Sequence, residues 1–252
     1  MTYHNLDEVV GGLAALEDEF RRRRDRRCIF LTLYGVVSRE MRDRVSRGAF
    51  DDPDWVHRYA VAFANLYQRA LEDYDAGRLD QVPKAWRLCF DAARGGKGLV
   101  LQDLFLGVSA HVNNDLPFAL SAVSIEPDRA ARYRDHSAVN EVLGAVTERA
   151  TLKLTELYAP GLSNMDDCAG QLDEWASNFS LQVARDSSWE SAVSLSNARN
   201  TIERTLVTKL IGSRAAVLAR LLLAQSLNPA AMAVCDRLER GSGWLTLAAS
   251  IT

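Results

Sequence analysis

Apolar residues recur along most of this chain three and four positions apart, and no stretch alternates as a half-buried strand would. Leu6, Val9, Val10, Leu13, Leu16 and Phe20 share one face, which predicts a first helix over 5–24 at the periphery of the fold. A second covers about 29–46 through Phe30, Tyr34, Val37, Met41 and Val45. The third has a signalled start, with Asp52 as cap and Pro53 in the first helical position. Its apolar face runs through Val56, Tyr59, Phe63 and Tyr67 until Gly77 stops it. Pro83 opens a short helix carrying Trp86, Cys89 and Phe90. After a Gly-Gly-Lys-Gly loop at 95–98 comes an apolar run from Leu99 to Val112. Another helix is expected at about 135–158, along Val139, Val142, Val146 and Leu154. Residues 166–227 read as two or more long helices, with Leu172, Trp175, Phe179 and Val183 on the first, and Pro229 starts a short last one. The prediction is an all-α, multi-helix bundle forming a single domain over 1–252.

The apolar run is interrupted in an unusual way. Within GVSAHVNNDLPFAL, residues 107–120, the chain gathers His111, Asn113, Asn114, Asp115 and Pro117. At about 100° per residue, Leu104, Val108, His111 and Asp115 fall within roughly 60° of one another, so the polar pair belongs to the buried stripe. Gly107 lies one turn before His111 and leaves room for an approach to the ring. Pro117 has no amide hydrogen to offer the carbonyl of Asn113, which predicts a frayed or kinked turn. A buried aspartate costs several kcal/mol unless it is paired or protonated. A purely structural His–Asp network satisfies that demand, and so does a site. The two asparagines, Gly107 and Pro117 favour a site.

Asp135 allows two readings. It is the cap of the helix at 135–158, or a second carboxylate facing Asp115 across a helix pair. In the second case His111, Asp115 and Asp135 would suit acid–base work or a single divalent metal.

Composition narrows the picture only modestly. With 30 basic and 33 acidic residues the net charge is −3, which argues against a general nucleic-acid binder. The basic run Arg21 to Arg27 closes a helix whose preceding turn is acidic, where cations belong. No apolar stretch approaches the roughly 20 residues of a membrane span, and the first residues, with no basic stretch followed by an apolar one, lead to no expectation of export. Cys28, Cys89, Cys168 and Cys235 are scattered without a CxxC pair, as reduced thiols of a cytoplasmic protein.

Several chemistries lack their motifs. The chain has no HExxH, no paired ExxH, no GxGxxG, no GxxxxGK[ST] and no GxSxG. Its four histidines are too few for a histidine-rich zinc cluster, and DDPDW at 51–55 is not the DDxxD of a terpene cyclase.

The order of features resembles a family of bacterial proteins grouped as domain-of-unknown-function family 5995. The resemblance rests on Ala110-His111-Val112-Asn113-Asn114-Asp115-Leu116-Pro117 led by Gly107, and on Val82 to Trp86 upstream. Downstream it includes Asp135, Val139 and Asn140, then Arg185, Trp189 and Ala192. It implies an all-α fold and a shared polar site, with no established reaction.

On the period set by Leu172 and Phe179, Arg185 points away from the core unless the helix bends. Pointing inward, it would neutralise Asp115 or hold an anionic substrate. Trp189 reads first as core and second as a ring against substrate.

The expectation is a cofactor-independent, non-redox enzyme of specialised small-molecule metabolism. His111, Asp115 and Asn113 would be catalytic, with His111 and Asp115 as acid–base pair and an asparagine holding a substrate oxygen. Asn114, Asp135, Asn140, Arg185 and Trp189 would border a small, largely apolar substrate. Cyclisation, isomerisation or elimination would follow. The alternatives are a metal-dependent hydrolase with His111, Asp115 and Asp135 as ligands, or a non-enzymatic helical binding module. No nucleic acid, no membrane span and no cofactor are expected, and a homodimer is compatible with all three readings.

Overall fold

The computed structural model describes residues 1–96, 98–158 and 180–224, with the side chain of residue 155 left aside. The expectations for Leu172, Trp175, Phe179 and Pro229, and for Lys97, Cys168 and Cys235, lie outside these residues. Within them the chain is all-α, a multi-helix arrangement with no strand. The helices are α1 (Leu6–Arg22), α2 (Cys28–Ser46), α3 (Pro53–Asp75), α4 (Lys84–Gly95), α5 (Val100–Ala110), α6 (Leu116–Val123), α7 (Arg129–Tyr158), α8 (Leu181–Asn197) and α9 (Thr201–Ala224). A five-residue π turn, His111–Asp115, joins α5 to α6 without a loop.

Local chemistry sets the helix starts. Asn5 accepts from the Glu8 amide at 2.9 Å while the Glu8 carboxylate reaches back to the His4 amide at 2.7 Å. Asp52 accepts from the Trp55 amide at 2.8 Å, with Pro53 as the first helical residue. Gly77 follows α3 at φ 73°, a left-handed conformation that costs glycine nothing.

Two expectations are corrected. α7 begins at Arg129 rather than near 135, because Asp128 caps it, accepting from the Ala131 amide at 3.0 Å. The first helix is not peripheral. Leu6, Val9, Leu13 and Phe20 are buried in the main apolar cluster, and α1 packs on α2 and α3.

The rod of α5, π turn and α6 is the centre of the molecule. α5 packs on α2, α4 and α9, the π turn on α3, α8 and α9, and α6 on α3 and α8. A helix surrounded on all sides is apolar on all sides, which is why the run from Leu99 shows so few polar positions. One apolar cluster forms around α1 to α5, and a second around α3, α6, α7 and α8. Ala110 belongs to the first, Val112 and Leu116 to the second, so the polar residues sit at the seam between them.

Candidate functional site

The π turn answers how the helix accommodates Pro117. The Leu116 amide bonds to the carbonyl of His111, five residues back. In that register the Val112 carbonyl looks to residue 117, a proline with no hydrogen to give. Ser188 of α8 supplies the missing donor, its hydroxyl reaching the Val112 carbonyl at 2.8 Å. The turn expected to be frayed or kinked is an ordered π bulge, held by a neighbouring helix.

All five residues of the turn are buried. The Asp115 carboxylate is 2% exposed and collects three side-chain donors. Trp86 Nε1 donates to Oδ2 at 2.7 Å, Asn114 Nδ2 to Oδ1 at 2.8 Å, and His111 Nδ1 lies 2.9 Å from Oδ2. A carboxylate only accepts, so Nδ1 carries the imidazole hydrogen and Nε2 carries the lone pair. Nε2 is buried and has no hydrogen-bond partner among the described residues.

Aromatic rings hold the imidazole flat. Phe63 stacks on it with centroids 3.5 Å apart and planes 6° off parallel, and Tyr34 meets it edge-on at 4.7 Å. Phe30 approaches at 5.7 Å from the side of Gly107. A Cβ at Gly107 would come within 2.7 Å of the Phe30 ring, so the glycine exists for that approach. Gly107→Ala is expected to cost about 1–3 kcal/mol through overpacking. In urea denaturation, Gly107→Ala combined with Phe30→Leu should lose less than the two single changes added together.

The His111 ring forms part of the wall of a cavity of about 100 Å³. Phe30, Val37, Met41, Phe63, Val112 and Leu143 make that wall mainly apolar. Its polar members are Tyr34, Ser38, Tyr59, His111 and Arg185. The Tyr34 hydroxyl makes no hydrogen bond among the described residues. Burial, then the charge of Asp115, pushes its ionisation well above the ordinary phenol range, so it stays a donor.

Arg185 points inward and is 4% exposed. The phase of Leu172 and Phe179 does not carry to it, because Ser180 is extended and caps α8 through the Val183 amide at 3.2 Å. It does not neutralise Asp115. Its Nε donates to Asn140 Oδ1 at 2.8 Å, and its terminal nitrogens donate to the His136 carbonyl and, at 3.5 Å, to the Tyr59 hydroxyl.

Other expected site residues serve the scaffold. Asn113 does not border the cavity, because its amide donates to the carbonyl and hydroxyl of Ser109 at 3.1 and 3.3 Å. Asn114 holds Asp115, as given above. Asp135 does not face Asp115 and does not cap α7, which starts a turn and a half earlier. Its carboxylate instead accepts from the Asp51 and Asp52 amides at 2.7 and 2.9 Å, fixing the chain where α3 begins. Trp189 packs on Tyr133 and His136, with centroids 5.2 and 5.3 Å away, and is absent from the cavity wall. His111, Asp115 and Asp135 thus do not converge, and no three His, Cys, Asp or Glu side chains among the described residues are grouped to hold a metal.

Sequence reasoning missed Trp86, Phe63, Tyr34 and Ser188 as parts of this site. The first three read as core aromatics, which they also are. Only the Val82 to Trp86 motif hinted that Trp86 has a polar task.

Burial disfavours the charged form of both imidazoles, so in the folded protein each stays neutral to a lower pH than a free imidazole. Burial depresses His111 below 6.5, with Asp115 opposing. Burial and then the charge of Arg185 bring His136 down from 6.5 to about 2. The unfolded chain protonates both near pH 6.5, so acid favours unfolding. Their stabilisation is present above pH 6.5 and is lost as pH falls towards each folded value. Each histidine should contribute a slope of about 1.4 kcal/mol per pH unit across its window. Urea denaturation between pH 7 and 5 checks this, and His136→Leu should lower the slope by up to about 1.4 kcal/mol per pH unit. Equal slopes in wild type and variant would contradict it.

The model of a family of unknown function (DUF5995) matches residues 6–225. The chain belongs to that family. The match spans α1 to α9 and the polar π turn at their centre. No curated protein and no solved structure matches the chain. No helix among the described residues is long and apolar enough to cross a membrane.

Proposed function

We propose that this DUF5995 protein is a cofactor-independent, non-redox enzyme of small-molecule metabolism, with His111 as its general base. The observation that carries the reading is the unpartnered Nε2 of a ring that walls an apolar cavity, while Nδ1 is fixed by Asp115. A buried acceptor without a donor costs stability, and a substrate C–H or O–H brought to it by a small shift of the wall side chains would use it. Nε2 takes the proton, Asp115 steadies the imidazolium, and Trp86 with Asn114 keeps the carboxylate aimed. The Tyr34 hydroxyl, rather than Asn113, is the group available to hold a substrate oxygen or return a proton. Removal of a proton at one atom and delivery at another gives isomerisation, cyclisation or elimination of a small, largely apolar molecule, without any change of oxidation state.

The test is an untargeted one. Metabolite extract in D₂O is incubated with the wild type and with a folded His111→Gln protein, and compared by mass spectrometry. The reading expects compounds converted by the wild type alone, with solvent deuterium in the product. Conversion that survives His111→Gln, products gaining or losing two hydrogens overall, or no conversion at all would each sink it. Products of net water addition would favour hydrolysis.

A further inference from the structure

Arg185 is a buried cation with no carboxylate within ion-pairing distance among the described residues. The contrast within the same molecule is plain. Arg26, buried to a similar degree, is paired with Asp103 at 2.5 Å. All of the partners of Arg185 are neutral: the Asn140 side-chain oxygen, the His136 carbonyl, and the Tyr59 hydroxyl. His136 also presents Nδ1 at 3.4 Å, and burial keeps that ring uncharged. An arginine of five N–H donors is not saturated by these contacts, and the bond to Tyr59, at 3.5 Å, is at the limit of its kind. A guanidinium taken out of water needs a counter-charge, or it costs several kcal/mol. Arg185 borders the cavity, which it lines together with Tyr59 and His111.

We infer that the ligand of this cavity is a small hydrophobic carboxylic acid, bound as its anion with the carboxylate on Arg185 and its apolar body against Phe63 and the aliphatic wall. The assignment rests on the proposed use of the cavity as a substrate site, and it adds the head group. Guanidinium matches carboxylate geometry with two parallel bonds, and in an apolar surround such charge-assisted bonds are strong. The volume limits the body. An engineered core cavity of about 150 Å³ admits benzene, and the space here is about 100 Å³. The space is smaller than that one, so the fit is to a short or branched aliphatic chain rather than a ring, with the carboxylate held by Arg185 at the wall. The proton that His111 removes then belongs to the body of the acid, since a second polar group on the wall holds the head.

Butyrate with butyramide, and isovalerate with isovaleramide, are matched pairs that differ in charge at almost constant shape. Their dissociation constants are measured by calorimetry or ligand-observed NMR on the full chain at pH 7. The acids are expected to bind about ten- to a hundredfold tighter than their amides. Arg185→Gln should bring the ratio close to one, and Arg185→Lys should keep part of it. His111→Gln should leave the ratio unchanged, because the imidazole is assigned to the proton and not to the head group. Equal binding of acid and amide, no binding of either acid, or a ratio that survives Arg185→Gln would overturn the inference. Should Arg185→Gln fail to fold, the acid-to-amide ratio of the wild type still decides. A wild type that converts a neutral metabolite and shows no preference for acids would sink this inference and leave the acid–base reading standing. An acid preference together with conversion that survives His111→Gln would do the reverse.

Discussion

Asp115→Ala is expected to destabilise the protein by about 3–5 kcal/mol, the largest stability effect of any single change at the site. The carboxylate is the acceptor for Trp86 Nε1, His111 Nδ1 and Asn114 Nδ2, all buried. Each donor left without a partner costs about 1–3 kcal/mol. The costs do not simply add, because the imidazole can shift its hydrogen to Nε2 and the Asn114 amide can rotate. The indole of Trp86 has neither option, since it only donates and is fully buried. Trp86→Phe removes that one donor and leaves Asp115 with two, so it should cost less than Asp115→Ala. Asp115→Asn should fall between, keeping one acceptor oxygen. Urea midpoints at constant slope measure the series. An Asp115→Ala protein within about 0.5 kcal/mol of the wild type would mean that the carboxylate does not organise the turn.

The same network shows what one-dimensional pattern can reveal and where it fails. Helices follow from burial on one face, so the apolar spacing of α2 and α3 gave their extents, and Asp52-Pro53 gave the start of α3. The site was visible as polar residues inside an apolar run, because only a helix buried on all sides makes such residues conspicuous. The missing pieces depend on three-dimensional neighbours. Trp86 and Phe63 read as core because their packing and their polar or stacking roles use the same residue type. From the sequence Asp135 reads as the cap of its own helix or as a carboxylate facing Asp115, while its carboxylate serves the start of α3, 83 and 84 positions away in sequence. The inward direction of Arg185 was hidden because its helix starts only after Ser180, so the phase is set by residues 181–197 and not by the apolar residues before them. The π turn was half legible. Pro117 announced a lost hydrogen bond, but the donor that replaces it comes from Ser188 on another helix.

The largest effect of all is expected in turnover, once a substrate converted by the wild type is in hand. His111→Gln should lower kcat about 10²- to 10⁴-fold, the range that a positioned base contributes. Its stability should fall little, because Nε2 has no partner to lose and the glutamine amide can still donate to Asp115. Asp115→Asn is the sharper test, since it preserves size and removes charge. Its amide would donate to Nδ1, forcing the hydrogen onto Nε2 and turning the base into a donor. In serine proteases the corresponding swap costs about 10⁴ in kcat with the geometry intact. The pH profile carries an independent sign. The base must be neutral to act, and burial depresses His111 below 6.5, so kcat/KM should stay level down to pH 6.5 and fall only on the acid side. An acid limb above pH 7 would assign the base elsewhere. A purely structural network predicts a different correlation, in which turnover and melting temperature fall together and every variant that stays folded keeps its rate. A stably folded His111→Gln protein with wild-type turnover would remove the imidazole from the chemistry.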